Sequence, residues 1–198
     1  MDTSKQTGFL FLLLSLCISW GAAAQYLLKP TRVFDGNQMH ENWVVLVEAS
    51  EIAYAGAQSG LKVPKNTEII TLEGMTLMPG LIEGHSHLLL HPYNETSWND
   101  QVLKESTAER AIRGAVHAEK SLMAGVTTMR DLGSEGAGYA DVSLKKSIEA
   151  GIIPGPRLLV AGPAIVATGA YGPKGFHEGV NVPLGAEPAS GVGEVIAT

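Results

Sequence analysis

Thr76-Leu77-Met78-Pro79-Gly80-Leu81-Ile82-Glu83-Gly84-His85-Ser86-His87 is the stretch that decides how the rest of the chain is read. An apolar run passes a Pro-Gly turn, rises again through Leu81 and Ile82, and ends in His-Ser-His. On an extended strand, side chains at i and i+2 point to the same face. His85 and His87 therefore project together, as a candidate pair of neutral imidazole ligands for a borderline cation such as Zn²⁺. A lone His-x-His is common by chance, so the surrounding sequence has to carry the reading.

After His87 the rhythm changes. Leu88 to Val102 reads as a polar, aromatic loop containing His91, Pro92, Tyr93, Asn94 and Trp98. Ser106-Thr107-Ala108-Glu109 is a capping-box signature, in which hydroxyl and carboxylate each satisfy an orphan backbone donor. Ile112, Ala115, Val116, Leu122 and Met123 follow at helical spacing, and Gly125 stands where a left-handed C-terminal residue is wanted. Val126 to Asp131 reads as a strand, Tyr139 to Ala150 as a second helix stopped by Gly151, and Leu158 to Ala161 as a third strand. Repeated βα units with apolar strands imply parallel pairing with helices covering the sheet. Gly162 to Thr198 is rich in Gly and Pro and shows no element before a helical pattern at Gly191 to Ile196. A structureless tail of that length is unusual in a compact domain, and three such strands leave unpaired edges. The expectation is the front part of a longer protein.

Upstream, from Tyr26 to Thr76, short strands alternate with turns. Trp43 to Val47, Ile52 to Ala55 and Glu68 to Leu72 are the clearest, the last closed by Glu73-Gly74. Their hairpin-length gaps predict a small antiparallel sheet. Before it, Lys5, the apolar run Gly8 to Trp20, and Ala22-Ala23-Ala24 predict a cleaved signal peptide over residues 1–24. The apolar run falls short of the roughly 20 residues needed to span a bilayer. The expected organisation is a signal peptide (1–24), a small β-domain (25–76), and the first βα units of a larger α/β domain (77–198). Export, to a periplasm or to the outside, follows, with no membrane partner after cleavage. Cys17 is the one cysteine and leaves with the signal, which excludes disulfides and thiolate ligands from the mature chain.

Composition limits the function classes. The 198 residues are 45% hydrophobic and 17% charged, which describes a chain with a core and not a disordered one. A formal charge of −6 without any Lys or Arg run argues against nucleic acid as a partner. Gly133-Ser134-Glu135-Gly136-Ala137-Gly138 is spaced G-x-x-G-x-G, which is not the dinucleotide fingerprint, and no Gly-Lys-Ser/Thr follows. A flexible strand-to-helix loop is the expected form. His117 and His177 are expected to face solvent. His91, Tyr93 and Trp98 either line a substrate pocket or decorate a surface loop.

In parallel α/β folds functional groups gather at the carboxyl ends of strands, which is where His85 and His87 fall. The plain alternative leaves one imidazole solvated and the other packed under the loop. Pro79 to His87 resembles the first-strand signature of the metal-dependent amidohydrolase superfamily, Pro-Gly-Leu-Ile-Asp-x-His-x-His. Gly125 to Gly133 resembles its second-strand signature, and Gly155-Pro156-Arg157 with the Gly-rich segment from Gly162 resembles its third. The likeness is closest to the prolidase-like and imidazolonepropionase-like branch. It implies the N-terminal part of a (β/α)8 TIM-type barrel preceded by the small antiparallel β-domain. It also implies hydrolysis of a carbon–nitrogen bond, in a small amide or dipeptide-like substrate, by metal-activated water. The cofactor implied is a divalent metal, zinc by preference, in a binuclear site. His85 and His87 match the ligands of its more buried ion. The family's carboxylated lysine, two further histidines and catalytic aspartate belong to later strands, so the catalytic base is unassigned and this chain alone is expected to be inactive. Glu83 departs from the usual Asp, with little effect expected. A non-catalytic remnant or binding module of the same fold remains the alternative.

Overall fold

The computed structural model describes residues 25–198; the expected signal peptide lies outside the described residues. The chain divides after Pro79 into two compact units. No helix among the described residues is long and apolar enough to cross a membrane.

The first unit is a five-stranded sheet. It comprises β1 (Gln25–Phe34), β2 (Met39–Glu41), β3 (Trp43–Glu48), β4 (Glu51–Ala57) and β5 (Glu68–Leu77). Antiparallel pairing holds along β2-β1-β3-β4, as the short-strand pattern predicts. The exception is β5, which pairs parallel with β1 from Tyr26↔Glu68 to Val33↔Leu77. The break expected at Glu73-Gly74 is absent, and Pro30 does not interrupt β1, because local features absorb both. Pro30, which has no N–H to donate, sits between the part of β1 paired with β3 and the part paired with β2, at the register shift against β5. Gly74 adopts φ 74° and donates its N–H to the Thr31 hydroxyl at 2.7 Å. The strand thus runs through the predicted stop to Leu77. Leu27, Val44 and Leu46 form the core, with Tyr54 and Leu61 against them.

The second unit is built on the parallel sheet β6-β7-β8, where β6 is Leu81–Ser86, β7 Val126–Asp131 and β8 Arg157–Val160. Helix α1 (Trp98–Lys104) lies in the segment read from sequence as loop. It is seven residues long, too short for periodicity to reveal, and starts where the Ser97 hydroxyl accepts the Asp100 N–H. Helices α2 (Thr107–Met123) and α3 (Ala140–Glu149) stand where expected. Ser106 caps α2 by accepting the Glu109 N–H, and the chain leaves the two helices through Gly125 (φ 95°) and Gly151 (φ 68°).

The buried face of α2 is not its most apolar one. Arg110, Gly114 and Ala118 are buried, whereas Ile112, Val116 and Met123 are exposed. Small residues let the helix approach closely: a Cβ on Gly114 would meet the Leu89 side chain at 2.9 Å. Leu88, Ala118, Met129, Leu144 and Leu158 make the core between helices and sheet. The glycine-rich tail is more ordered than its composition suggests. It contains the parallel pair β9 (Ile165–Val166) and β10 (Glu187–Pro188), then α4 (Gly191–Ala197).

Candidate metal-binding half-site

The carboxyl end of β6 is irregular, and that irregularity aims the histidines. Glu83 pairs with Met129 and Ser86 with Asp131, so three steps on β6 oppose two on β7. The extra residue is a bulge, a device that bends a strand and redirects a side chain. Glu83 supports it by accepting the His85 N–H at 2.8 Å. A carboxylate here therefore shapes the backbone that carries His85, although it lies outside the histidine pair. Ser86 donates its hydroxyl to the Arg130 carbonyl at 3.0 Å, and Leu132 N–H returns to Ser86 O at 3.0 Å.

The two imidazoles come together as the i, i+2 spacing predicts. Their ring centroids are 5.3 Å apart and their planes cross at 72°. Two imidazoles holding one tetrahedral zinc by nitrogens about 2.0–2.1 Å away would place their centroids about 5.2 Å apart. His87 Nδ1 faces the Gly133 carbonyl at 3.2 Å and Glu135 Oε1 at 3.5 Å. Both are acceptors, so in the neutral ring the proton sits on Nδ1 and the lone pair on Nε2, as ligation requires. His85 is exposed and His87 half-buried. The donor set suits a divalent ion, but it is only a pair: among the described residues no group of three His, Cys, Asp or Glu side chains could hold a metal.

Beneath the pair lies Asp131, the last residue of β7, with 1% of its surface exposed. Its carboxylate accepts the Leu88 N–H at 3.0 Å and the Gly133 N–H at 3.3 Å, tying together the chain leaving β6 and the chain leaving β7. Burial pushes its pKa up to about 6, against the pull of those two N–H groups.

The Gly133–Gly138 loop is not the flexible connection expected from its composition. Ser134, Glu135 and Ala137 are all buried. Arg110, 2% exposed, reaches from α2 with Nε on the Leu89 carbonyl (3.2 Å), Nη1 on Glu135 O (2.8 Å) and Nη2 on Ser134 O (3.0 Å). Glu135 takes a left-handed backbone, φ 53°, which residues with a Cβ rarely adopt. Its Oε2 accepts the Trp98 indole N–H at 2.8 Å and the Tyr171 hydroxyl at 2.6 Å. Burial, together with hydrogen bonding to that carboxylate, drives the Tyr171 pKa upward. Neither Glu135 nor Tyr171 was singled out by the sequence. The available signal was a lone carboxylate inside a glycine-rich loop at a strand's carboxyl end.

The loop after His87 is organised by Gln101, fully buried in α1. Its side-chain oxygen accepts the His91 N–H at 2.7 Å, and its NH₂ donates to the carbonyls of His91 (3.3 Å) and Thr96 (2.9 Å). His91 and Tyr93 then border a cavity of about 420 Å³ together with His87. His117, expected in solvent, also lines it and donates Nδ1–H to the Leu88 carbonyl at 3.0 Å. The free carbonyl at the β6 exit, which no sequence pattern marks, draws it inward. Trp98 borders a second cavity of about 270 Å³ with Tyr93 and Tyr171. His177 is kept in the exposed tail, where it accepts the Gly179 N–H.

Comparison with known proteins bears on the family and the fold. The sequence model of the amidohydrolase family matches residues 76–195. Similar solved structures include an amidohydrolase (26% identity, TM-score 0.67) and a prolidase complexed with N-methylphosphonate-L-proline (25%, 0.69). A third is the A. niger ochratoxinase (25%, 0.63). Each alignment covers 87% of this chain and 42% of the other, so the chain spans about two fifths of their length. No curated protein matches significantly.

Proposed function

The chain belongs to the amidohydrolase family, and we propose that it carries the first metal-ligating strand of a hydrolase that cleaves carbon–nitrogen bonds in small amides or dipeptide-like substrates. The observation that carries this reading is the His85–His87 pair at the end of β6, with centroids 5.3 Å apart and His87 Nδ1 committed to acceptors. A divalent metal held there, zinc by preference, would polarise a substrate carbonyl and lower the pKa of water toward about 7. The protein's own groups do the positioning. The β6 bulge and Glu83 set His85, Gly133 and Glu135 orient His87, and Asp131 fixes the backbone on which both stand. His91, Tyr93 and His117 present polar groups to the adjoining cavity, where a substrate amide would be received. The dipeptide-like class draws support from the similar prolidase complexed with a phosphonate of proline.

The same reading places strands β6, β7 and β8 as the first three of a (β/α)8 barrel, and a second ion, further ligands and a general base on later strands. Two histidines make a half-site, and the 198-residue chain is accordingly inactive by itself. Export through the N-terminal 24 residues belongs to the same proposal.

The test is a Zn²⁺ titration of the purified chain against a competing chromophoric chelator, beside a panel of dipeptides and N-acyl amino acids. Binding should weaken at least about tenfold in both His85→Ala and His87→Ala, with no turnover in any sample. Unchanged affinity in both variants would overturn the ligand assignment. Turnover abolished by a chelator would overturn the half-site.

A further inference from the structure

Glu135 has more hydrogen-bonding structure around it than a loop residue requires. It is 4% exposed, sits in a left-handed backbone, and is held at its main chain by the Arg110 guanidinium. One carboxylate oxygen, Oε2, receives both the Trp98 indole N–H and the Tyr171 hydroxyl. These donors come from α1 and from the glycine-rich tail, more than 35 residues away on either side. With Oε2 so occupied, Oε1 is left to face His87 Nδ1 at 3.5 Å. Trp98 and Tyr171 in turn brace each other edge to face, with centroids 5.2 Å apart. An acidic side chain has thus been drawn out of solvent, and among the described residues the imidazole it faces is the one ionisable partner within salt-bridge distance of its carboxylate.

We infer that Glu135 is a positioning residue that holds His87 as its Nδ1–H tautomer, with Nε2 turned out for a cation, and that Trp98 and Tyr171 exist to fix the carboxylate in that role. The inference rests on the reading of His87 as a metal ligand. A carboxylate behind a ligating imidazole sets the ring's orientation and raises its basicity. The Gly133 carbonyl shares the Nδ1 proton at 3.2 Å, but it is neutral. Of the two acceptors at Nδ1 only Glu135 carries charge, so the carboxylate gives the ring a negative outer partner.

The isosteric Glu135→Gln separates this role from a purely structural one. Trp98 and Tyr171 both donate, so they select the amide oxygen and turn its NH₂ toward His87 Nδ1. A donor then meets a donor, and the ring is pressed toward the opposite tautomer, whose protonated Nε2 cannot ligate. Glu135→Ala instead removes the hydrogen bonds that tie the loop to α1 and the tail, while leaving Nδ1–H on Gly133. A structural role therefore makes the alanine variant worse in every assay. A positioning role makes the glutamine variant at least as damaging to the metal, at near-native thermal stability.

The experiment is ¹⁵N NMR of histidine-labelled full chain without metal, reading the His87 tautomer, followed by Zn²⁺ titration. The wild type should show Nδ1–H. Glu135→Gln should lose much of that population and bind Zn²⁺ roughly 10- to 100-fold more weakly. Tyr171→Phe, which removes one donor while leaving the carboxylate, should shift both readouts the same way but less, and stands in if Glu135 variants do not fold. An unchanged His87 tautomer and unchanged affinity in Glu135→Gln, or in Tyr171→Phe where only that variant folds, would overturn the inference. A tautomer shift in a chain that never binds Zn²⁺ would sustain the positioning role and overturn the metal reading instead.

Discussion

Replacing Arg110 by Lys tests whether one buried guanidinium holds the carboxyl ends of β6 and β7 in register. Arg110 is 2% exposed and spends three nitrogens on three carbonyls, those of Leu89, Ser134 and Glu135. These acceptors lie around a planar fork that a single ammonium nitrogen cannot reproduce. Lysine keeps the charge and most of the stem, and satisfies one of the three. Two hydrogen bonds from a charged donor to buried carbonyls are lost, at about 1.5–3 kcal/mol each, so the variant should lose about 3–6 kcal/mol. Set against a typical total of about 5–15 kcal/mol, that is a large fraction, and the fold should survive at reduced margin. Urea unfolding followed by circular dichroism gives the overall loss as a lowered midpoint at unchanged slope. Hydrogen exchange gives the location: the Ser134 and Ala137 amides, bonded to Gly162 O and Ser134 O, should lose protection, while those of the β1–β3 ladder keep theirs. A midpoint shift worth less than about 1 kcal/mol, or a loss of protection spread evenly over the chain, would refute the clamp.

Two further outcomes follow from other parts of the structure. A Cβ on Gly80 would sit 2.7 Å from the Thr127 Cβ and closer still to both of its branches. Gly80→Ala should therefore cost about 1–3 kcal/mol, and Thr127→Gly in the same chain should recover most of the overpacking term in a double-mutant cycle of unfolding midpoints. In the β-sheet unit, the N–H groups of Gln38 and Asn37, with His40 beside them, lower the Asp35 pKa to about 2. Because the folded value lies below the unfolded one, Asp35 stabilises the fold at pH above about 4, and that contribution drains away as pH falls toward 2. Asp35→Asn should lower stability at neutral pH, with the deficit shrinking to nothing as pH falls toward 2, so that the acid limb of a thermal-stability profile is flattened between those values; an identical profile would refute it.

The sequence made the histidine pair legible because two of its features are local. A strand's two-residue period brings His85 and His87 to one side, and the change from β-branched runs to helical spacing after Ser106 marks the repeating units. Helix ends were legible for the same reason, since Ser106, Gly125 and Gly151 act on their own neighbours. What stayed hidden depends on partners far along the chain. Glu135 looks like a solvated loop residue until Trp98 and Tyr171 arrive from 37 and 36 positions away. His117 turns inward for a carbonyl 29 residues earlier. The parallel β1–β5 pairing is invisible to a reading of hairpin-length gaps, because its partners are some 40 residues apart. Burial of Arg110 inverts the usual rule for α2: the charged residue is inside because the loop it serves has carbonyls and no strand to satisfy them.

Gln101 has a consequence for how the rim beside His87 can change. Its amide offers one acceptor and one donor to the N–H and C=O of His91, which is what a neighbouring peptide group offers across a ladder. A side chain thus substitutes for a missing strand, and it does so from a helix anchored elsewhere. The tip between Pro92 and Glu95 is relieved of holding His91 in place. Insertions or exchanges in those four positions can therefore reshape the mouth of the cavity while the His91 backbone stays put.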